Sequence, residues 1–523
     1  MDMYSSTNTT SAWANMDFTD FQKRTYYTSS LLLLIVSIVA FRILTRPKTN
    51  APIVDPPKFF DVTATRQRLE AVKGARSLLQ RAYKAFPGKS FRIMAEYAEL
   101  IVLPAKFAND IRNDDRFDFT GFIRQVTFPS DVIGMEPFRS NDGLVKVVVQ
   151  QYLTKHLNKV TQPLNEETAF AISDVLTEAE GNPTPDWHTL NLKDALLRLV
   201  ARVSSRVFLG EELCRNEKWL TVTREYTLAA FGSAEKMRVY PTPIRGLISR
   251  FHPGCRRAAS LIKDARACMA PILERRRREK ASGNYVPYND AIEWFEMAAN
   301  GQQYDPVLMQ LSLSAAAIHT STDLLTQTIG DLAQNQDFID PLRKEIIQCL
   351  SDGGWKKTTL YQMKLLDSCV KESQRMKPVA LLSMHRLVGA PVTLSDGTFI
   401  PKGSLTAVSS DRMWDPSVYE NPLQWDGARS FNKRKQEGHE NAAQLVTTGP
   451  DHLGFGHGQH ACPGRFFAAN EIKMTLAHLL IKYDVRLHDK NPQVCYYGFT
   501  MSTDPLLKVD VRRRREEVDL GSF

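Results

Sequence analysis

The chain has 523 residues, 43% of them hydrophobic and 24% charged, and 67 Lys and Arg stand against 58 Asp and Glu for a formal net charge of +9. Its seven cysteines are scattered without a Cys-x-x-Cys pair, which excludes a disulfide scaffold and structural zinc and points to a reducing compartment. The positive balance accompanies no nucleic-acid recognition motif: the arginine runs at 275–278 and 512–515 read as solvated faces, or as surfaces for anionic lipid and an acidic protein partner, so no nucleic acid is expected.

The first element is apolar. Residues 26–44, centred on 31–41, come close to the ~20 residues that span a bilayer. Arg42, Arg46 and Lys48 follow, so the C-terminal side is the cytoplasmic one. Asp2, Asp17, Asp20, Lys23 and Arg24 leave no net positive charge ahead of the run, which predicts an uncleaved anchor rather than a signal peptide. The segments are then a lumenal tail (1–25), a transmembrane signal-anchor helix (26–45), a hinge stiffened by Pro47, Pro52, Pro56 and Pro57 (46–58), a catalytic domain (59–510) and a charged tail (511–523). Asn8 opens a sequon on the lumenal side and is a glycosylation candidate. No glycine- or serine-rich linker divides the rest, which reads as one mostly helical domain with a minor β component.

Asp305-Pro306 is an N-cap followed by proline at the first helical position, and a long apolar pattern runs from 307 to about 332. It contains Ala316-Ala317-Ile318-His319-Thr320-Ser321. A helical stretch over 361–376 carries Glu372 and Arg375, three apart and so on one face; taken alone, they suit a solvated surface pair. Residues 378–386 end in His385-Arg386, and an irregular segment at 422–431 holds Arg429.

The loop Phe455-Gly456-His457-Gly458-Gln459-His460-Ala461-Cys462-Pro463-Gly464 then sets one cysteine before a helical pattern. Gly456 and Gly458 let a loop curl closely around sulfur and aim N–H groups at it. Pro463 suits the first turn of the next helix, whose positive end lies near a thiolate. Cysteine ligation of haem iron favours O–O cleavage. Two other readings are a buried structural cysteine and a dinucleotide fingerprint at Gly456-x-Gly458-x-x-Ala461, which Cys-Pro interrupts.

Phe455, Gly458, Cys462 and Gly464 match the Phe-x-x-Gly-x-x-x-Cys-x-Gly signature of the cytochrome P450 family, which the chain resembles from roughly residue 60 to 510. The resemblance implies a mainly α P450 fold, a haem b ligated by Cys462, and a loop in which Phe455, Gly456, His460 and Gly464 contact the cofactor. His460 stands where many members carry a propionate-binding arginine. The resemblance further implies that Glu372, Arg375 and Arg429 form a buried network behind the haem, that Arg386, with His385 as runner-up, meets a propionate, and that Thr320 helps to deliver protons to oxygen. His319 replaces the usual acid, as a proton relay or as a buried structural residue, with Thr322 and Asp323 as nearby polar alternatives. A Trp/His-x-x-x-Arg element expected at 142–151 is missing, leaving Lys146 as its substitute.

Substrate is expected against Ala316, Ala317, Val379, Ala380, Leu381, Leu382, Phe499, Thr500 and Met501, where core packing is an equal alternative. With no flavin or nicotinamide unit in evidence, the NADPH-derived electrons for O2 come, by resemblance, from a membrane-bound NADPH-cytochrome P450 reductase, with cytochrome b5 as a second donor. This corresponds to endoplasmic-reticulum members with a cytoplasmic catalytic domain. The segments 449–453, 202–210 and 289–294 are similar to a fungal branch that includes ent-kaurene oxidase and indole-diterpene and meroterpenoid oxidases, implying hydroxylation, in one or several steps, of a polycyclic terpenoid. Two alternatives stay open: a haem-thiolate isomerase or dehydratase needing no external electrons, and a haem-dependent sensor.

Overall fold

The computed structural model describes residues 18–44, 48–57, 61, 64–127, 132–139, 143–177, 186–238, 240, 242–283, 285–488 and 492–523. The longer helices are α1 (Phe18–Leu44), α2 (Thr65–Ala85), α3 (Leu157–Thr177), α4 (Leu192–Leu209), α5 (Glu217–Met237), α6 (Thr242–Phe251), α7 (Pro253–Ala281), α8 (Ala291–Ala299), α9 (Pro306–Gln334), α10 (Ile339–Gly353), α11 (Lys364–Met376) and α12 (Arg465–Lys482). The strands are β1 (Phe91–Met94), β2 (Glu99–Leu103), β3 (Phe117–Asp118), β4 (His188–Asn191), β5 (Leu382–Val388), β6 (Val392–Thr393), β7 (Phe399–Ile400), β8 (Leu405–Ser409), β9 (Tyr483–Leu487), β10 (Val494–Tyr497), β11 (Thr500–Thr503) and β12 (Lys508–Arg513).

Helix α9 is the axis of the molecule. Asp305 Oδ1 accepts from Val307 N (3.0 Å) and Leu308 N (3.2 Å), and Pro306 opens the first turn, as the capping pattern predicts. Nearly every residue from Val307 to Leu332 is buried, because α4, α5, α11 and α12 all pack against it. The departure from burial is local: Ala316 and Thr320 are exposed and Ala317 half-exposed, on a stretch that faces a cavity.

Beside this bundle lies a five-stranded sheet of order β1-β2-β8-β5-β3, in which β2 and β8 run parallel and the other neighbours antiparallel. A second sheet, β4-β12-β9, closes the far side. The hairpin β10–β11 reaches back to the chain entering β5: Leu381 N donates to Phe499 O (2.8 Å) and Met501 N to Val379 O (2.8 Å).

Several boundaries differ from expectation. Helix α1 begins at Phe18, eight residues before the predicted 26, and Leu31 to Leu34, Ile35, Val36, Ile38 and Phe41 lie exposed along it. Among the described residues, no helix is long and apolar enough to cross a membrane. The proline-rich 46–58 stretch is not a free hinge throughout: Arg92 N donates to Pro52 O (2.7 Å) and Val54 N to Arg92 O (2.9 Å), which lays this chain along β1. Nor is 511–523 a free tail, since β12 runs to Arg513 and Trp355 Nε1 donates to Leu520 O (2.9 Å) over a buried Leu520. The predicted 361–376 helix is broken at Met363, and α11 starts at Lys364. Pro463 precedes the helix it was expected to open, for α12 starts at Arg465 with Gly464 as its N-cap. Asn8 lies outside the described residues.

Candidate active site

The loop at 455–464 wraps the Cys462 thiol by means of its glycines. Gly456 and Gly458 have φ of 67° and 80°, the left-handed region that glycine tolerates. A Cβ at Gly458 would stand 2.4 Å from both the carbonyl oxygen and the Cβ of Arg112. The approach is that close because Gln459 N donates to Arg112 O (3.1 Å) and Asn113 Oδ1 (3.0 Å), while the His457 ring meets Asn109 Oδ1 at 3.0 Å. Cys462 N closes the loop on Phe455 O at 2.8 Å.

The sulfur therefore sits at the start of α12. Burial pushes the thiol's pKa up, while the N–H groups of Gly464 and Arg465 and the Arg465 charge favour the thiolate. Arg465 is itself anchored, donating to Cys462 O (2.9 Å) and Val446 O (3.1 Å).

Opposite the sulfur runs the exposed stretch of α9. Ala316, Ala317 and Thr320 line a cavity of about 300 Å³ whose other wall is Phe455, Cys462 and Gly464. A neighbouring space of about 360 Å³ shares Val379, Gly454, Phe455, Cys462 and Pro463 with it, so the two form one slot passing over the thiol. Thr320 Oγ1 donates to Ala316 O (2.8 Å), which fixes the rotamer of its hydroxyl at the slot.

One end of the slot is basic. Arg386 is buried beside Phe119, donates from Nη1 to His385 O (2.8 Å), and among the described residues has no partner at Nε. Burial lowers its pKa to about 10 against the opposing pull of Asp118. His460, its ring 5.7 Å from that of Phe119, is pushed down to about 4 by burial and by the charges of Arg386 and Lys146. Arg386, His460 and Lys146 thus converge, and the half-buried His385 also lines this space, its ring 4.9 Å from that of Phe122 and its pKa lowered to about 4 by burial.

Glu372, Arg375 and Arg429 form one buried network. Arg375 grips Glu372 in bidentate fashion (2.8 and 2.9 Å), Arg429 Nε adds a bond at 3.1 Å, and Asp426 N another at 3.2 Å. Arg375 also donates to the carbonyls of Met413 and Pro422, so α11 and the 413–429 chain are tied to a single carboxylate.

Of the expected substrate wall, Ala316, Ala317, Val379, Ala380 and Leu382 line the slot. Leu381, Phe499 and Met501 do not: they are buried in an apolar cluster with Phe91 and Phe122, because the hairpin bonds pin them inward. Thr500 is exposed and bridges Ala380 across that hairpin. His319 does not line the slot either. Its Nε2 is bonded to Arg224 O on α5 at 3.0 Å, and burial lowers its pKa, which matches the structural alternative rather than a relay at the cavity.

Of two acidic clusters near the slot, the sequence offers Asp323 as a polar neighbour of Thr320 and gives no sign of Glu471. Asp323, one turn beyond Thr320, lines the slot and is paired with Lys377 and with Lys193 (3.1 Å). Its nearness to Thr320 is legible in the sequence, but its pairing is not, since the lysines come from other elements. Glu471 on α12 is fully buried; Ser204 Oγ donates to it at 2.5 Å, and burial raises its pKa to about 7 despite the hydroxyls of Ser204 and Ser321. Nothing in its local sequence marked it.

With this geometry in place, comparison with known proteins is informative. The family model described as Cytochrome P450 matches residues 72–508. The chain is 47% identical over 501 residues to the cytochrome P450 monooxygenase hepE of Aspergillus oryzae, covering 93% of this chain and 90% of that protein. It is 42% identical over 474 residues to the cytochrome P450 monooxygenase TRI1 of Fusarium sporotrichioides (90% and 86% covered). It is 39% identical over 511 residues to the cytochrome P450 monooxygenase ptmU of Penicillium ochrochloron (94% and 97% covered).

Proposed function

Because the chain belongs to the cytochrome P450 family and is a monooxygenase, we propose that it binds haem b through Cys462 and oxidises a hydrophobic, polycyclic terpenoid-type intermediate of fungal secondary metabolism. The observation that carries this reading is the slot itself, with a thiol on one wall and the small residues Ala316 and Ala317 on the other.

The residues present fit a haem. A flat apolar macrocycle with two carboxylates would need an apolar slot, a side chain to hold its iron and cationic donors at one edge. Cys462 would be the ligand, and the Nε of Arg386, unpartnered among the described residues, with Lys146 and the neutral His460 beside it, would supply the donors. When bound, the haem supplies the activation of dioxygen by two electrons, delivered by NADPH-cytochrome P450 reductase with cytochrome b5 as a second donor.

The chain's own residues have separate tasks. Gly464 and Arg465 hold the thiolate by their N–H groups, as a structurally constrained ligand requires. Ala316, Ala317 and Val379 leave room for a bulky apolar substrate, and Phe455 and Leu324 keep water from the wall. Thr320 presents a hydroxyl to this space from α9, able to hold a proton at Oγ1. The terpenoid assignment is supported by the apolar wall and by the fungal origin of the relatives.

Membrane attachment through α1 on the endoplasmic reticulum, with the catalytic domain cytoplasmic, belongs to the same reading, and the exposed apolar run from Leu31 to Phe41 supports it. Carbonate extraction of microsomes carrying the full chain or a variant lacking residues 1–45 tests this: the full chain stays with the pellet and the shortened one leaves it.

The central test is the ferrous–CO difference spectrum of wild type and Cys462→Ala. A thiolate-type Soret band present in wild type and lost in the variant supports haem ligation, and a terpenoid panel with reductase and NADPH then tests the substrate class. A band that survives the substitution overturns the ligand assignment.

A further inference from the structure

Oxygen insertion into a C–H bond releases one water for each dioxygen used and consumes two protons, which must cross the wall of an apolar slot. Apart from the thiol, the ionisable side chains lining the space beside Thr320 are Asp323 and Lys377, and they are paired with each other. Asp323 Oδ1 also accepts from Lys193 Nζ (3.1 Å), Thr503 N (2.9 Å) and Thr503 Oγ1 (2.8 Å). The carboxylate is thus held between two ammonium groups, one inside and one outside. Lys377 is 2% exposed, whereas Lys193 is 24% exposed and reaches solvent.

Three charges in file from water to cavity are costly to bury, and a purely structural ion pair would not need the outer lysine. Lys377 gives one N–H to Asp323, and among the described residues no other side chain accepts from its Nζ. His319, the nearer titratable group in sequence, is engaged with Arg224 O and does not reach the slot.

We propose that Lys193, Asp323 and Lys377 form the route by which protons enter the cavity. Lys377 releases a proton from Nζ into the slot and becomes a neutral amine. Asp323 takes a proton from Lys193 Nζ and, by rotation of its carboxyl group, passes one to Lys377; bulk water then recharges Lys193. Each passage moves one proton inward and leaves the three groups as they began. Lys377 makes the delivery and Asp323 and Lys193 act through it. Burial lowers the pKa of Lys377 against the pull of Asp323 and Asp331, while Lys193 lowers it further, so its neutral form is within reach.

The inference rests on the haem-monooxygenase reading, and the test separates the two. Carbon monoxide on the reduced protein is the probe, because its infrared stretch responds to charge in the cavity without turnover. Spectra are taken as a pH series across the range in which the folded protein keeps its haem, for wild type, Lys377→Met and Lys193→Met; burial moves the Lys377 titration below the ordinary lysine value and so toward that range. The groups facing Lys377 are Asp323 and Asp331 from α9 and Lys193 from α4, and His319 faces Asp323.

The expected result is a stretch that titrates in wild type, does not titrate in Lys377→Met, and in Lys193→Met titrates but follows a pH jump at least ~10-fold more slowly. A wild-type stretch that ignores pH, a titration that survives Lys377→Met, or a Lys193→Met that follows the jump as fast as wild type overturns the route. If Lys377→Met fails to take up haem, Lys193→Met decides alone, since it leaves the Asp323–Lys377 pair in place. A normal thiolate–CO Soret band with any of these outcomes leaves the haem assignment standing.

Discussion

Glu471 is the buried acid whose removal gives the cleanest readout. It lies at the contact of α12 with α4 and α9, with Ser204 Oγ at 2.5 Å, and full burial raises its pKa from the ordinary 4.5 to about 7. The folded protein keeps a proton that the unfolded chain gives up. The stability this contributes is therefore complete below about pH 4.5 and is lost as pH rises through about 7. At about 1.4 kcal/mol per tenfold change in proton affinity, the full effect is roughly 3 kcal/mol, and roughly 2–3 kcal/mol of it falls between about pH 5 and pH 8. Glu471→Gln keeps the shape and the acceptor for Ser204 but carries no charge. Its stability relative to wild type should rise by that amount from pH 5 to pH 8. Other titrations, including that of Asp331, which burial also raises to about 7, occur in both proteins and cancel in the difference. With an unfolding entropy of about 2.1 cal/mol/K per residue, the change corresponds to ~2–3 °C in the melting-temperature difference, measured by thermal melts of the haem-loaded proteins at the two pH values. A difference in melting temperature that is the same at both pH values refutes the reasoning.

Gly458→Ala should lose haem and yield far less soluble protein, because its Cβ would lie 2.4 Å from Arg112 at a φ of 80°; Gly456→Ala, with nothing closer than 3.8 Å, should suffer only the ~1 kcal/mol of a left-handed alanine, and haem content per protein compares them. Glu372→Ala leaves the buried Arg375 without its carboxylate and should cost ~3–5 kcal/mol, seen as a collapse of the thiolate–CO band in favour of aggregated protein, whereas Arg429→Ala, which removes one bond of 3.1 Å to Glu372 and two to the carbonyls of Glu420 and Gln424 but leaves the Glu372–Arg375 pair intact, should be milder. His319→Phe removes the bond to Arg224 O and should lower stability by about 1 kcal/mol while leaving the pH dependence of the CO stretch unchanged; a lost titration would return His319 to the proton route.

Legibility in the sequence followed the range of each interaction. The cap at Asp305 and the α9 helix were readable because an N-cap, a proline and an apolar pattern act within a few residues. The loop around Cys462 was readable for the same reason: positive φ is a property of single glycines. The hairpin contacts were not, and Leu381, Phe499 and Met501 went from expected wall to core once β10–β11 was seen to hydrogen-bond to 379–381. Pro463 lies two residues ahead of the first helical position, because Gly464 takes the cap and the helix starts at Arg465.

By itself the chain determined the thiol and its glycine loop, the order of Thr320, Glu372, Arg375 and Arg429, and the long capped helix, since each depends on residue type and short spacing. Only the tertiary structure decided which charges meet. Asp323 is joined to Lys193 and Lys377 across separations of 130 and 54 residues, Glu471 to Ser204 across 267, and His319 is turned away to Arg224. Such pairings carry no local signature, because the energy of a buried charge is set by the groups that packing places around it rather than by its neighbours in the chain.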